Sequence, residues 1–141
     1  GDTHNGPSEQ VEAKYPLLVE RYALRQDSGG AGQFRGGLGT EQVVQARHPI
    51  RFSSQMDRVH CKPWGLFGGL SASGNGVDVH RYGASEETRF VNGKALNQTL
   101  ASGDAYILRS GGGGGYGRRS GGGKGGRSGG GRSGGGGFKR P

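Results

Sequence analysis

His4, His48, His60, Cys61 and His80 carry the soft donors that a bound metal ion would need. A structural zinc site takes four ligands, usually paired at short spacing. His60 and Cys61 are adjacent, a poor geometry for holding one ion together. A zinc site drawing on His60 or Cys61 with His4 and His80 stays open, against ordinary loop residues. Cys61 as a nucleophile needs a thiolate and a base. His60 is its neighbour, but adjacent side chains in a strand face opposite ways. A partly buried structural thiol is the simpler reading. Asp27-Ser28 has no histidine at a convincing spacing, and the adjacent carboxylates Glu86-Glu87 read as a solvated loop. No catalytic residue is assigned.

Phosphate chemistry fares no better. A glycine segment can cradle phosphate with backbone N–H groups. Gly93-Lys94 and Gly123-Lys124 lack both the first glycine and the Ser/Thr of a phosphate-binding loop. Neither Gly30-Ala31-Gly32 nor Gly37-Leu38-Gly39 extends to GxGxxG. The stretch Asp27 to Gly39, with six glycines in thirteen positions, therefore reads as turn and packing backbone. Within it Asp27, Ser28, Gly29, Gly30, Gly32, Arg35, Gly36 and Gly37 are turn or interface candidates. Asp57, Arg58 and Trp64 join them, with Trp64 balanced between core residue and subunit anchor.

These residues need a scaffold, and the sequence offers a β-rich one. Ser8 to Lys14 reads as a short helix capped by Ser8 and stopped by Pro16. Leu17–Arg25, Thr40–Ala46, Ile50–Met56, Val77–Tyr82 and Asp104–Leu108 read as strands. Arg89-Phe90-Val91 runs into Asn92-Gly93, a strong hairpin signal. The expected core is Leu18, Val19, Tyr22, Leu24, Phe34, Val43, Val44, Ile50, Phe52, Trp64, Leu66, Phe67, Phe90, Val91, Leu100, Ile107 and Leu108. So many glycines set against so thin a core predict that the glycine-rich faces bury against a larger partner.

Charge divides the chain. The formal net charge is +8, but residues 111–141 hold seven Lys/Arg and no acid, leaving +1 on residues 1–110. The expected organisation is a β-rich domain over 1–110 and a Gly/Ser/Arg-rich basic tail over 111–141, flexible or docked on a partner. The tail resembles RGG segments that bind single-stranded nucleic acid. With Tyr116 and Phe138 as its only aromatics, a solubilising or docking arm is the simpler role. A single cysteine fits a reducing cytoplasm. No apolar run approaches the ~20 residues of a membrane helix, and no signal-peptide pattern opens the chain.

One resemblance organises these pieces. Asn5-Gly6-Pro7-Ser8, Tyr15-Pro16, Val19-Glu20-Arg21-Tyr22-Ala23-Leu24-Arg25, the Asp27–Gly39 segment, Asp57-Arg58, Pro63-Trp64-Gly65-Leu66-Phe67-Gly68-Gly69, Asn92-Gly93-Lys94, Gly103-Asp104 and Gly111 to Gly117 stand in order. Together, over residues 5–117, they resemble the C-terminal part of the hydantoinase B/oxoprolinase family. The family's glycine stretch usually continues into Asp-Pro, whereas Arg118-Arg119-Ser120 follow here. The resemblance implies ATP-dependent chemistry on cyclic amides or ketones, in chains several times longer. A chain of this length looks most like the small (beta) subunit of acetophenone carboxylase. It would complete or stabilise a large hydantoinase B-like subunit within a hetro-oligomer of hydantoinase A/B-like chains. ATP would be used by the complex and not held on this chain.

Overall fold

The computed structural model describes residues 6–118. They form one short helix, α1 (Ser8–Lys14), and seven strands: β1 (Leu17–Leu24), β2 (Thr40–Ala46), β3 (Ile50–Gln55), β4 (Gly76–His80), β5 (Glu87–Arg89), β6 (Lys94–Leu100) and β7 (Ala105–Arg109). Pro7 occupies the N-cap of α1 with no side-chain cap bond, so Ser8 is the first helical residue and not the cap. Tyr15 is extended, as the residue before a proline must be, and the helix stops there.

Five strands form an antiparallel sheet in the order β1-β2-β7-β4-β5, while β3 and β6 form a separate antiparallel pair. The turn at Asn92-Gly93 forms: the Gly93 N–H donates to the Phe90 carbonyl at 2.9 Å, with Gly93 at φ 66°. Its flanks nevertheless do not pair with each other. β5 joins β4 and β6 joins β3, so the expected hairpin is a crossover between sheets. The packing explains this. Glu87 and Arg89 meet charged partners on the larger sheet, whereas Ala95 and Leu100 belong to the apolar core.

That core lies between the pair and the sheet. Ala46, Val77 and Val79 meet Phe52, Ala95 and Leu100, and Phe52 stacks on Tyr106 with ring centroids 4.3 Å apart. Val44, Phe52, Leu100 and Ile107 are buried as expected. Tyr22, Leu24, Phe34, Trp64, Leu66, Phe67 and Val91 are instead exposed. Ala46, Ala95, Val77 and Val79 share the buried core with Phe52 and Leu100.

A third layer holds no strand. Residues 28–39, 64–72 and 110–117 interlock backbone to backbone. Gly30 N–H donates to Gly113 O, Gly113 N–H to Gly37 O, Leu70 N–H to Ala31 O and Gly115 N–H to Leu70 O, all between 2.7 and 2.9 Å. Gly36 shows why glycine is required: an added Cβ would run into the Gly113 carbonyl. The glycine faces thus close on one another, where burial against a larger partner was expected. The three segments satisfy each other's N–H and C=O groups, as buried backbone must. The boundary anticipated at residue 110 falls inside this layer, with Gly111 to Gly117 seated in it.

Candidate subunit interface

Ser28 anchors the layer. It is fully buried, its Oγ accepting the Gly39 N–H at 2.8 Å and donating to the Arg25 carbonyl at 2.7 Å. Asp27 next to it sits at φ 53°, a conformation uncommon for a non-glycine residue. Its carboxylate meets Arg35 at 3.3 Å, in an exposed pair contributing little stability. Gly29, Gly30, Gly32 and Gly36 each lie against backbone of the layer, whereas Gly37 has open space where a Cβ would be. The glycine candidates therefore differ in role: four are packed and one is free.

Asp57 and Arg58 join the same region through Asn75. Its Nδ2 donates to the Asp57 carbonyl at 2.6 Å, while its Oδ1 accepts the Gly111 N–H at 2.6 Å. Arg58, at φ 56°, places its guanidinium 5.7 Å from the Trp64 ring centre. Sequence reasoning missed Asn75, since a lone asparagine before a strand carries no signal of a two-sided clamp. Trp64 is 65% exposed, which removes it from the core.

The layer presents aromatic side chains outward. Tyr116 contacts Phe34 at 6.2 Å and Phe67 edge-on at 5.2 Å between ring centroids, and all three are exposed. Phe67 is 76% exposed and held at φ 50°. A connected exposed aromatic group on a hydrogen-bonded scaffold has the make-up of a protein-contact surface.

The opposite face of the five-stranded sheet is electrostatic. Asp78 on β4 is 1% exposed and pairs with Arg109 and with Arg89. Arg109 also bonds Glu41 at 2.7 Å and Glu87 at 3.1 Å. The Arg109 hydrogen bond holds the Glu41 carboxyl below its ordinary range. Burial pulls the Arg109 guanidinium down, but Glu41 and Glu87 outweigh it and raise it. Glu87 is thus a strand residue in a charge network and not part of a solvated loop.

The metal candidates are not drawn together. His60 and Cys61 follow β3 and are exposed, which corrects the expected partly buried thiol. His80 ends β4 with its Nε2 2.9 Å from the Ala84 carbonyl. His4 lies outside the described residues. Among the described residues no group of three or more His, Cys, Asp or Glu side chains is placed to hold a metal ion. The basic-tail reading also falls, from residue 119 on, outside the described residues.

Comparison with known proteins places this architecture. Residues 1–119 match the sequence profile of the hydantoinase B/oxoprolinase family. The caprolactamase subunit beta of Pseudomonas jessenii is 35% identical over 121 residues, covering 83% of this chain and 20% of that protein. The 5-oxoprolinase PfmaA of Pestalotiopsis fici is 36% identical over 120 residues, covering 83% of this chain and 9% of that protein. The chain thus spans a fifth or less of these relatives. The crystal structure of the ATP-dependent caprolactamase from Pseudomonas jessenii superposes with a TM-score of 0.70 at 29% identity, over 80% of this chain and 20% of that one. An acetone carboxylase solved without nucleotide shares the fold, with a TM-score of 0.64 at 24% identity, over 81% of this chain and 20% of that one. The ordered motifs, the glycine layer and these likenesses agree: the chain belongs to the hydantoinase B/oxoprolinase family.

Proposed function

We propose that this chain is a non-catalytic module of an ATP-dependent enzyme complex, completing or stabilising a large hydantoinase B-like subunit. The observation that carries this is the exposed aromatic group of Phe34, Phe67 and Tyr116, with Trp64 on the same glycine layer. Such side chains on a scaffold fixed by its own backbone bonds suit an assembly surface. A matched relative is a caprolactamase beta subunit about four times as long, which supports the same role. Among reactions we favour ketone carboxylation of the acetophenone carboxylase type, with the acetone carboxylase fold as its support. Hydrolysis of cyclic amides is the alternative, supported by the caprolactamase likeness. ATP is assigned to the complex and to no residue here. A role in binding nucleic acid is disfavoured by the family match and by the net charge of +1 on residues 1–110.

Native mass spectrometry of the complex isolated through this chain tests the proposal. The expected result is a stable hetero-oligomer containing a large hydantoinase A- or B-like chain, with ATP turnover in the complex and none in the isolated chain. A monomer with no large partner, or ATP hydrolysis by the chain alone, would overturn it.

A further inference from the structure

Beyond the aromatic surface, the start of β4 borders a cleft of about 280 Å³ between the sheet and the loop after β3. Arg25, Lys62, Arg89, Arg109 and Asn75 contribute its polar wall together with the Asp78 carboxylate, and Phe90 and Val91 an apolar one. We infer that this cleft binds a small organic anion: a carboxylate or phosphate head carried on an apolar body.

The charge count supports a missing anion. In the network that reaches the cleft wall through Asp78, Arg89 and Arg109, the carboxylates Asp78, Glu41 and Glu87 are matched by Arg109, Arg89 and Arg21. Among the described residues, neither Arg25 nor Lys62 takes part in an ion pair, so two positive charges line the cleft uncompensated. Glu41, whose carboxyl feels Arg25, is already held by Arg109 and Arg21.

The donors are also positioned. Nη1 of Arg25 bonds the carbonyls of Gly74 at 2.9 Å and Ser110 at 3.3 Å, which fixes its guanidinium and leaves Nη2 and Nε unengaged among the described residues. The Lys62 stem passes over the same residue, its Cγ lying 3.3 Å from where a Gly74 Cβ would stand. Arg89 meets Asp78 through Nε, and among the described residues its terminal nitrogens are left for a ligand. Two guanidinium groups and an ammonium bordering one space are suited to an oxyanion, through short charge-assisted bonds. Phe90 and Val91 give the rest of the ligand an apolar wall, the usual division of labour in a small-molecule site.

The inference stands apart from the assembly role and is tested on the full 141-residue chain. Amide NMR titrations with phenyl phosphate and with benzoate should give saturable shifts at Gly74, Asn75 and Gly76. Lys62→Gln and Arg89→Gln should each weaken the better probe about tenfold, the loss expected for one charge-assisted bond. The exposed Lys62 guards against a folding artefact, because its loss removes no bond within the described residues. The tighter probe identifies the head group. Failure of both probes to saturate, affinities unchanged in both variants, or equal shifts around the distant Arg47 and Arg51 would overturn the inference.

Discussion

Asp104 shows how much one side chain can organise. Its carboxylate is buried and accepts the Tyr82 N–H at 2.9 Å, the Ala101 N–H at 2.9 Å and Arg81 Nη1 at 2.7 Å. It therefore fixes the turn into β7 and ties it to the end of β4. Burial alone would raise its pKa, but the bonds from Tyr82, Arg81 and Ala101 outweigh burial and lower it below the ordinary 3.8. Glu41, bonded by Arg109, is likewise held below its ordinary 4.5. A carboxyl with a folded value below its unfolded value adds stability that is complete above the unfolded value. That stability drains as the pH falls through it toward the folded one. Urea midpoints should accordingly decline below about pH 4.5. Asp104→Asn should lower the neutral-pH midpoint and flatten the acid decline, since the variant has less to lose. An acid limb as steep as the wild type's would refute this account of Asp104. The sequence marked Gly103-Asp104 as a motif, but two of its three donors, Arg81 and Tyr82, lay more than twenty residues upstream, invisible to spacing.

At the scale of elements, the strands were legible and their partners were not. β1, β2, β3, β4 and β7 follow local apolar patterning, which a strand expresses in its own residues. β6 escaped notice because Lys94 to Leu100 buries only Ala95 and Leu100, too few positions to show alternation. The Asn92-Gly93 turn was legible for the same local reason, while the divergence of its flanks depends on Asp78 and Phe52 far along the chain. The glycine layer was the hardest element, because its order is backbone order, which leaves no apolar pattern. Two neighbouring positions test it. An added Cβ at Gly36 would collide with the Gly113 carbonyl, and backbone has little freedom to give, whereas Gly37 opens on free space. Gly36→Ala should cost about 1–3 kcal/mol or more through overpacking. Gly37→Ala should lie within about 1 kcal/mol of the wild type, because reduced freedom of the unfolded chain favours it. Chemical denaturation of both variants decides the matter, and equal losses would mean that the layer is not closely packed.

The molecule as a whole pairs a small apolar core with large side chains left in water. Seven of the expected core residues are exposed, and sequence could not tell them from core because a contact surface uses the same residue types. The residues flagged for an interface were partly the scaffold: Ser28 and Gly36 hold the layer, and Trp64, Phe67 and Tyr116 are what it displays. Tyr116, read with the tail, belongs to the folded unit. If these aromatics face a large hydantoinase B-like subunit, their removal should separate stability from assembly. Trp64→Ala loses a ring already mostly in water, so the unfolding midpoint should scarcely move. Phe67→Gly removes an exposed ring and relieves a positive φ, and should leave stability unchanged or slightly raised. In the complex, each truncated side chain would leave a buried contact unfilled. An interface anchor is worth about 2 kcal/mol or more, which corresponds to roughly thirtyfold weaker association. Sedimentation of each variant with the co-isolated large chain measures that loss. The control is Tyr82→Ala, an exposed aromatic outside the layer, which should leave association unchanged. If Trp64→Ala and Phe67→Gly both assemble as tightly as that control, the aromatic face is not the contact surface.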